Sequence, residues 1–227
     1  MLVYGRNVLK ELDRKKIRKI YVCSNELTNY LKDNNYKYEF VPKQRLDMMI
    51  KGNHQGIVID IYDYEYYSLD DIDSNFVVIL DHLEDPHNFG SIIRSCECAG
   101  VEYIIIPKDR SVTVNDTVFK VSAGAIEHVK IVMVSNLVNA IKKLQKDNYF
   151  IYAADMDGED YRAIDYADKK VLIIGNEGNG ISNVVRDNSD VVVSIPMKGT
   201  INSLNAGVSA GILLYGMIRN DKWRYYK

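Results

Sequence analysis

The stretch that organises this chain is VVVSIPMKGTINSLNAGVSAGILLYGMIR, residues 191–219 of 227. Its β-branched start predicts a strand that ends at Pro196, because proline cannot donate a hydrogen bond to a sheet ladder. From Ser203 onward, small and apolar residues predict a helix of about four turns, with Ser203 as its N-cap. The chain therefore ends in a strand, a polar loop and an apolar helix.

The predicted start of this helix carries more polar side chains than capping requires. One side-chain oxygen is enough for a cap, yet Asn202, Ser203 and Asn205 all lie there. The N-terminus of a helix offers free N–H groups and the positive end of a dipole, which suit an electron-rich ligand. The excess of polar groups predicts a binding site.

Upstream of this stretch, strand-like runs alternate with helical segments. Such alternation predicts an α/β fold with a mostly parallel sheet that is covered on both faces. Ligands of these sheets bind in loops beyond the carboxyl ends of the strands. The strand-like runs are residues 76–80, 103–106, 129–134, 150–153, 171–174 and 191–195.

The net charge of −2 is unevenly distributed along the chain. Residues 1–61 hold 12 Lys and Arg against 7 Asp and Glu, whereas residues 62–75 hold 5 acids and no base. The pattern predicts a basic domain at 1–61 that faces a polyanion, an acidic tyrosine-rich linker at 62–75, and a second domain at 76–227. Solvated helix faces explain the same basic excess equally well.

The remaining composition limits the class of protein. No apolar run approaches the length of a membrane span, and the N-terminal residues lack the apolar region of a secretory signal. The three cysteines, Cys23, Cys96 and Cys98, are too few for a disulfide framework, which predicts a cytoplasmic protein. Cys96 and Cys98 do not share a helix face, so they make a poor metal pair.

The first candidate loop follows the strand that ends at Leu80. It reads DHLEDPHNFGSIIR at residues 81–94, and Pro86 places the helix start near Asn88. Its acids and histidines include no i, i+4 ligand pair on the helix, so we expect no metal there. Arg94 lies among apolar residues, where it either forms a structural ion pair or binds a phosphate. Both explanations stay open at this point.

The second candidate loop is GNEGNG at residues 175–180, after the strand at 171–174. It lacks the G-x-G-x-x-G order of a dinucleotide site and has no Walker lysine. Glu177 would repel a pyrophosphate, but it suits a cationic cofactor without phosphate, such as S-adenosylmethionine. A tight turn with a solvated glutamate is the alternative for this loop alone.

Three ordered motifs resemble those of the SpoU/TrmH class of RNA ribose 2′-O-methyltransferases, over about residues 76–219. They are Asn88 with Arg94, then Gly175-x-Glu177-Gly178-x-Gly180, and finally Ile195-Pro196-Met197 with Ser203-Leu204-Asn205. Residues 1–61, with His54-Gln55-Gly56, are similar to the L30e-like substrate-binding domain of the branch that methylates a guanosine ribose in 23S rRNA.

The resemblance implies a C-terminal trefoil knot, S-adenosylmethionine as cofactor, a homodimer formed through the knotted domain, and 23S rRNA as the RNA partner. The catalytic residues that it implies are Asn88, Arg94, Glu177, Ser203 and Asn205. The cofactor would contact Gly175, Ile195 and Leu204. The RNA would contact the basic residues of the first domain, Arg14, Lys15, Lys16, Arg18 and Lys19.

Other functions remain possible at this stage. A tRNA ribose methyltransferase and a non-catalytic RNA-binding or ribosome-assembly protein of the same fold are the nearest alternatives. A nucleotide-dependent enzyme is disfavoured by Glu177. The chain also departs from the usual Val-Ser-Val-Ala after the last motif, because it reads Ala206-Gly207-Val208-Ser209. Gly207 is expected to weaken the helix by up to ~1 kcal/mol relative to alanine.

Overall fold

The computed structural model describes residues 1–201 and 203–219, so Asn202 and the last eight positions, 220–227, lie outside the described residues. The chain divides into two compact units. The first unit contains Met1–Glu65 and Thr113–His128, and the second contains Tyr66–Val112 and the chain from Val129 onward. A segment inside the predicted domain 76–227 thus belongs to the first unit.

The first unit is built on a four-stranded sheet in the order β1-β4-β2-β3, in which only β2 and β3 are parallel. The strands are β1 (Leu2–Tyr4), β2 (Ile17–Val22), β3 (Glu39–Phe40) and β4 (Ile57–Ile61), and the helices are α1 (Arg6–Glu11), α2 (Asn25–Asp33) and α3 (Lys43–Met49).

The segment Thr113–His128 completes the first unit. A short helix begins there because the Asn115 side chain accepts a hydrogen bond from the Val118 N–H at 3.0 Å. The Lys120 ammonium donates to the Tyr4 hydroxyl at 3.4 Å, and the Lys16 ammonium lies 2.8 Å from the Glu127 carboxylate. These contacts make the segment part of the basic unit.

The second unit is built on a six-stranded sheet in the order β10-β8-β9-β5-β6-β7, and every pairing in it is parallel. Each of the six predicted strand-like runs is a strand, which confirms the predicted α/β fold with its parallel sheet. The strands are β5 (Phe76–Asp81), β6 (Tyr103–Pro107), β7 (Lys130–Val134), β8 (Phe150–Asp160), β9 (Lys170–Gly175) and β10 (Val191–Ser194).

Helices cover the central strands, whose side chains are buried throughout β5 and β6. They are α4 (Pro86–Cys98), α6 (Leu137–Lys146), α7 (Asn183–Asp187) and α8 (Ala206–Met217), and α5 (Asp116–Val121) belongs to the first unit. The last helix carries no charged side chain and packs closely on α4, since a Cβ at Gly207 would lie 3.1 Å from the Ser91 Oγ. No helix within the described residues is long and apolar enough to cross a membrane.

One strand departs from a simple ladder. Val192 of β10 pairs with Ala153 of β8, but the next residue, Val193, pairs with Glu159. Residues 154–158 therefore bulge out of the ladder, and we call them the β8 arch. The arch returns to the sheet at Gly158, where a Cβ would lie 2.6 Å from the Val192 carbonyl, so only glycine fits.

Candidate active site

A cavity of about 560 Å³ lies beyond the carboxyl ends of the central strands of the second unit. Its walls come from the β8 arch at residues 154–156, the glycine loop at 174–180, the segment between β10 and α8, and the first turns of α8. The predicted cofactor-contacting residues Gly175, Ile195 and Leu204 all line it, as do Glu177 and Ser203. Open parallel sheets bind ligands at this edge.

A chain of side-chain hydrogen bonds joins the three predicted loops. The Asn88 amide donates to the Glu177 Oε1 at 2.6 Å, and the Asn205 amide donates to the Asn88 Oδ1 at 2.8 Å. Asn88 is only 8% exposed and lies in the first turn of α4, which the Asp85 carboxylate caps. The structure therefore brings three of the five predicted catalytic residues into direct contact.

The start of α8 corrects one prediction. The helix begins at Ala206 and its N-cap is Asn205, whose Oδ1 accepts hydrogen bonds from the N–H groups of Gly207 at 2.9 Å and Val208 at 3.3 Å. The prediction that Ser203 is the N-cap was wrong, because the backbone first turns helical three residues later. Asn205 thus caps the helix with its oxygen and binds Asn88 with its nitrogen. Ser203 is exposed at the cavity.

The glycine loop is held by the side chain of Asn176. Its amide donates to the His82 carbonyl at 2.8 Å, and its Oδ1 accepts from the Gly178 N–H at 2.8 Å. A Cβ at Gly175 would lie 2.2 Å from the Gly180 carbonyl carbon, so the loop closes on itself only with glycine there. The loop held in this way presents the exposed Glu177 to Asn88.

Arg94 lies apart from this hydrogen-bonded chain. It is exposed on α4, and within residues 1–201 and 203–219 its guanidinium forms no ion pair. Six residues separate it from Asn88, which turns it about 120° away around the helix. Of the two explanations for Arg94, the structural ion pair is therefore not observed in the described chain.

Both charged residues that line the cavity in the described chain are acidic. Its charged lining residues in the described chain are Asp155 and Glu177, with no lysine or arginine among them. Arg186 of α7 lies behind the arch, where it donates to the Asp155 Oδ2 at 3.0 Å and to both oxygens of Asp157 at 2.8 Å. These hydrogen bonds lower the pKa of Asp157. The cavity suits a ligand that carries positive charge and no phosphate.

Sequence reasoning missed the β8 arch as a wall of this cavity. The two aspartates Asp155 and Asp157, directly after an apolar strand, were a usable signal, because they mark a carboxyl-end loop. A buried network beside the site was also missed. Asp81, which is 1% exposed, accepts hydrogen bonds from His82 Nδ1 at 2.6 Å and from the Ser182 hydroxyl at 2.8 Å.

The described residues contain no cluster of three metal-ligating side chains. His54 has a different role, since its ring is buried and accepts a hydrogen bond from the Gly56 N–H at 3.0 Å while its Nε2 lies 2.9 Å from Asp47. This contact shapes the turn before β4. The His54 side chain is consequently not free to bind a partner.

The predicted RNA-binding residues of the first unit differ in their surroundings. Lys16 pairs with Glu127, Arg18 lies 3.7 Å from Asp60, and Lys19 lies 2.7 Å from Glu39. Arg14 instead stacks over the Tyr36 ring at 4.2 Å, and Lys15 is exposed. Among the described residues, neither Arg14 nor Lys15 forms a salt bridge through its side chain.

Comparison with known proteins agrees with this fold. The SpoU rRNA Methylase family matches residues 75–215, and a second family, RNA 2′-O ribose methyltransferase substrate binding, matches residues 2–67. The two family matches therefore identify an RNA methyltransferase. The chain belongs to the SpoU rRNA methylase family.

Relatives of nearly the same length carry related names. YacO of Bacillus subtilis, assigned to the TrmH family of tRNA/rRNA methyltransferases, is 35% identical over 96% of this chain and 94% of its own. A TrmH family tRNA/rRNA methyltransferase of Staphylococcus aureus strain MSSA476 is 38% identical over 96% of this chain and 91% of its own.

Solved structures share the fold. The SpoU methyltransferase AviRb of Streptomyces viridochromogenes, in complex with AdoMet, has a TM-score of 0.83 at 23% identity and covers 97% of this chain and 89% of its own. The AdoMet-bound rRNA methyltransferase of Sinorhizobium meliloti has a TM-score of 0.82 at 24% identity, and the match covers 98% of this chain and 88% of its own. The TrmH/SpoU tRNA modifying enzyme of A. aeolicus has a TM-score of 0.60 at 29% identity, and the match covers 66% of this chain and 77% of its own.

Proposed function

We propose that this chain uses S-adenosylmethionine to methylate a ribose 2′-hydroxyl of RNA, and that the RNA is 23S rRNA with a guanosine as the target nucleotide. The observation that carries this proposal is the hydrogen-bonded chain Glu177–Asn88–Asn205 at the edge of an acidic cavity. It joins the three motifs that distinguish this family from other α/β enzymes.

The cavity fits the proposed cofactor. S-adenosylmethionine, when bound, supplies an electrophilic methyl group on a positively charged sulfur. A volume of about 560 Å³ is ample for a ligand of this size, and the Glu177 carboxylate, which no cation of the described chain offsets, favours a cationic ligand. Gly175, Ile195 and Leu204 would hold the cofactor, with the exposed Leu204 side chain gaining an apolar partner.

The residues around the cavity would act on the RNA by positioning and by charge. A ribose hydroxyl is a weak nucleophile, so it must be held in line with the methyl group while its proton leaves to water. A guanidinium stays protonated, hence Arg94 would bind the adjacent phosphate and stabilise the developing negative charge on the oxygen. Glu177 and Asn205 would keep Asn88 in place, and Ser203 would contact the ribose.

A homodimer would bring Arg94 to the cavity. The last helix has no charged side chain, yet Val208 and Tyr215 are 51% and 44% exposed, which is an apolar surface that a second copy would cover. Arg94 is exposed on the adjacent α4, so in such a dimer it would reach the cavity of the other copy.

We also propose that the chain around α8 forms the trefoil knot. The buried Lys170 ammonium, which donates to the Met217 carbonyl at 3.1 Å, would secure the threaded end.

The choice of rRNA rests on how far the likeness extends. The AdoMet-bound rRNA methyltransferase matches 98% of this chain, whereas the tRNA modifying enzyme matches only 66%. The part that distinguishes them includes a region the size of the first unit, which we propose is an L30e-like RNA-binding domain. Of the five basic residues predicted to bind RNA, Arg14 and Lys15 form no salt bridge with a described residue, which makes them the best candidates for phosphate contacts.

Methyl transfer from tritiated S-adenosylmethionine to unmodified rRNA and tRNA tests the proposal. We expect label in rRNA only, at a ribose that is also unmethylated in cells that lack the gene. Transfer to tRNA alone would show that the substrate is tRNA and not rRNA. No transfer to either RNA would favour a non-catalytic RNA-binding protein. The Arg94→Ala variant should lose transfer while it still binds S-adenosylhomocysteine.

A mixed dimer tests which copy supplies Arg94. An Arg94→Ala chain paired with a Glu177→Ala chain leaves one intact site only if Arg94 acts across the dimer. We expect about half the wild-type activity in that mixed dimer and none in either homodimer. An inactive mixed dimer would place Arg94 and Glu177 of the same chain in one site.

A further inference from the structure

The β8 arch adds an acidic residue to the cavity that none of the three motifs contains. Asp155 and Met156 line the cavity, and Asp155 lies just beyond Ala153, which pairs with Ile173 of β9. Asp155 is thus on the same carboxyl edge as the glycine loop. Its side chain is 22% exposed, which leaves it accessible from the cavity.

Arg186 orients this carboxylate and offsets its negative charge. It donates to the Asp155 Oδ2 at 3.0 Å, while the Met156 N–H donates to the Oδ1 at 2.7 Å. Each carboxylate oxygen has a further lone pair, so Asp155 can still accept hydrogen bonds. Because the guanidinium offsets its charge, Asp155 is better suited to neutral hydroxyl donors than to a cation.

Glu177 provides the contrast within the same cavity. Its contact is the neutral amide of Asn88, so its negative charge is not offset by a cation in the described chain. The two carboxylates therefore differ in chemistry, although both line the cavity. A cofactor that has a cationic sulfur and a neutral sugar presents one matching group to each.

We propose that Asp155 is a cofactor-recognition residue that accepts hydrogen bonds from the two ribose hydroxyls of the adenosine part of the cofactor. This inference rests on the proposed function, since it names the group that binds the proposed S-adenosylmethionine. A carboxylate that is held in place by a second residue is a common way to recognise a ribose diol, because both oxygens can accept.

Calorimetric titration tests the inference without any turnover. The ligands are S-adenosylhomocysteine and its 2′,3′-dideoxyadenosyl counterpart, and the proteins are the wild type, Asp155→Ala and Asp157→Ala. Asp157 is a matched control, because it binds the same Arg186 but does not line the cavity. Thermal unfolding of the two variants measures how much each lost contact with Arg186 affects the fold.

We expect the wild type to bind the dideoxy ligand about 10-fold more weakly than the parent ligand. Asp155→Ala should bind the parent ligand about 10-fold more weakly and should no longer distinguish the two ligands. Asp157→Ala should behave as the wild type does, within about 2-fold. If Asp155→Ala does not fold, Asp155→Asn is used, and a weakened preference for the parent ligand is expected.

Two results would overturn the inference. Equal affinity of the wild type for both ligands would exclude recognition of the diol, and an unchanged preference in Asp155→Ala would assign it to another residue. In either case binding of S-adenosylhomocysteine would leave the proposed function standing. Failure of the wild type to bind S-adenosylhomocysteine at all would instead refute the proposed function, and this inference with it.

Discussion

The central role of Asn88 can be tested by replacing it with alanine. The change removes the 2.6 Å hydrogen bond to Glu177 and the 2.8 Å hydrogen bond from Asn205. A net hydrogen bond contributes roughly 1 kcal/mol, but Glu177 and Asn205 are exposed, so water replaces part of what they lose. We therefore expect a total loss of about 1 kcal/mol, which lowers the melting temperature by about 2–4 °C.

Methyl transfer should suffer far more than stability. Without Asn88 the glycine loop and the start of α8 are no longer linked, and a misplacement of about 1 Å in a catalytic group costs on the order of 100-fold in rate. Scanning calorimetry and tritiated-methyl transfer measure the two effects, with Asn179→Ala in the same loop as control. Transfer within about 3-fold of wild type would refute the role of Asn88. Independent, multiplicative effects of Asn88→Ala and Glu177→Ala would show that the two residues do not act together.

Three further predictions concern other parts of the molecule. Gly158→Ala should destabilise the second unit by about 1–3 kcal/mol, because the new methyl group would lie 2.6 Å from the Val192 carbonyl. Urea unfolding measures this loss, and wild-type stability of the variant would mean that the arch does not close on Val192. Burial raises the pKa of Tyr166 to about 12. The unfolded chain releases this proton from about pH 10, so the stabilisation from the protonated tyrosine is complete below pH 10 and is lost as the pH rises to 12. Between pH 10 and 12 the melting temperature should therefore fall less steeply in Tyr166→Phe than in the wild type. The double replacement of Arg14 and Lys15 by alanine should weaken binding of rRNA fragments and reduce the slope of log affinity against log salt by about 2; an unchanged slope would remove both residues from the interface.

The parallel sheet was predictable because its central strands are buried on both faces. Such strands appear in sequence as short runs of Val, Ile and Leu, and all six runs are strands in the structure. The three loops were predictable for a related reason, since a parallel sheet brings the carboxyl ends of its strands to one edge. The contact between Asn88, Glu177 and Asn205 follows from this geometry once the strand order is known.

Boundaries and partners were less predictable. Ser203 and Asn205 are both good caps, and only the backbone decides that Asn205 takes this place. Likewise, an excess of lysine and arginine does not reveal which cations lie beside acids. Lys16 pairs with Glu127, a residue more than 100 positions away in sequence, and the periodicity of a sequence does not predict contacts between such distant residues.

The β8 arch was missed because its register shift is a tertiary effect. A strand followed by a polar run is indistinguishable from a strand followed by an ordinary loop until the pairing with β10 is seen. Only the jump from Val192 to Val193 shows that residues 154–158 leave the ladder and return to it. This shift in register places Asp155 at the cavity.

The departure Ala206-Gly207-Val208-Ser209 has a structural explanation in the packing of α4 on α8. A side chain at Gly207 would approach the Ser91 Oγ to 3.1 Å, so glycine there allows the two helices to come close. The close approach matters because Asn88 and Asn205, which form a 2.8 Å hydrogen bond, lie on these same two helix starts. The hydroxyl that moved to Ser209 still lines the cavity. Glycine at position 207 therefore eases the close packing of α4 and α8 beside the hydrogen bond between Asn205 and Asn88.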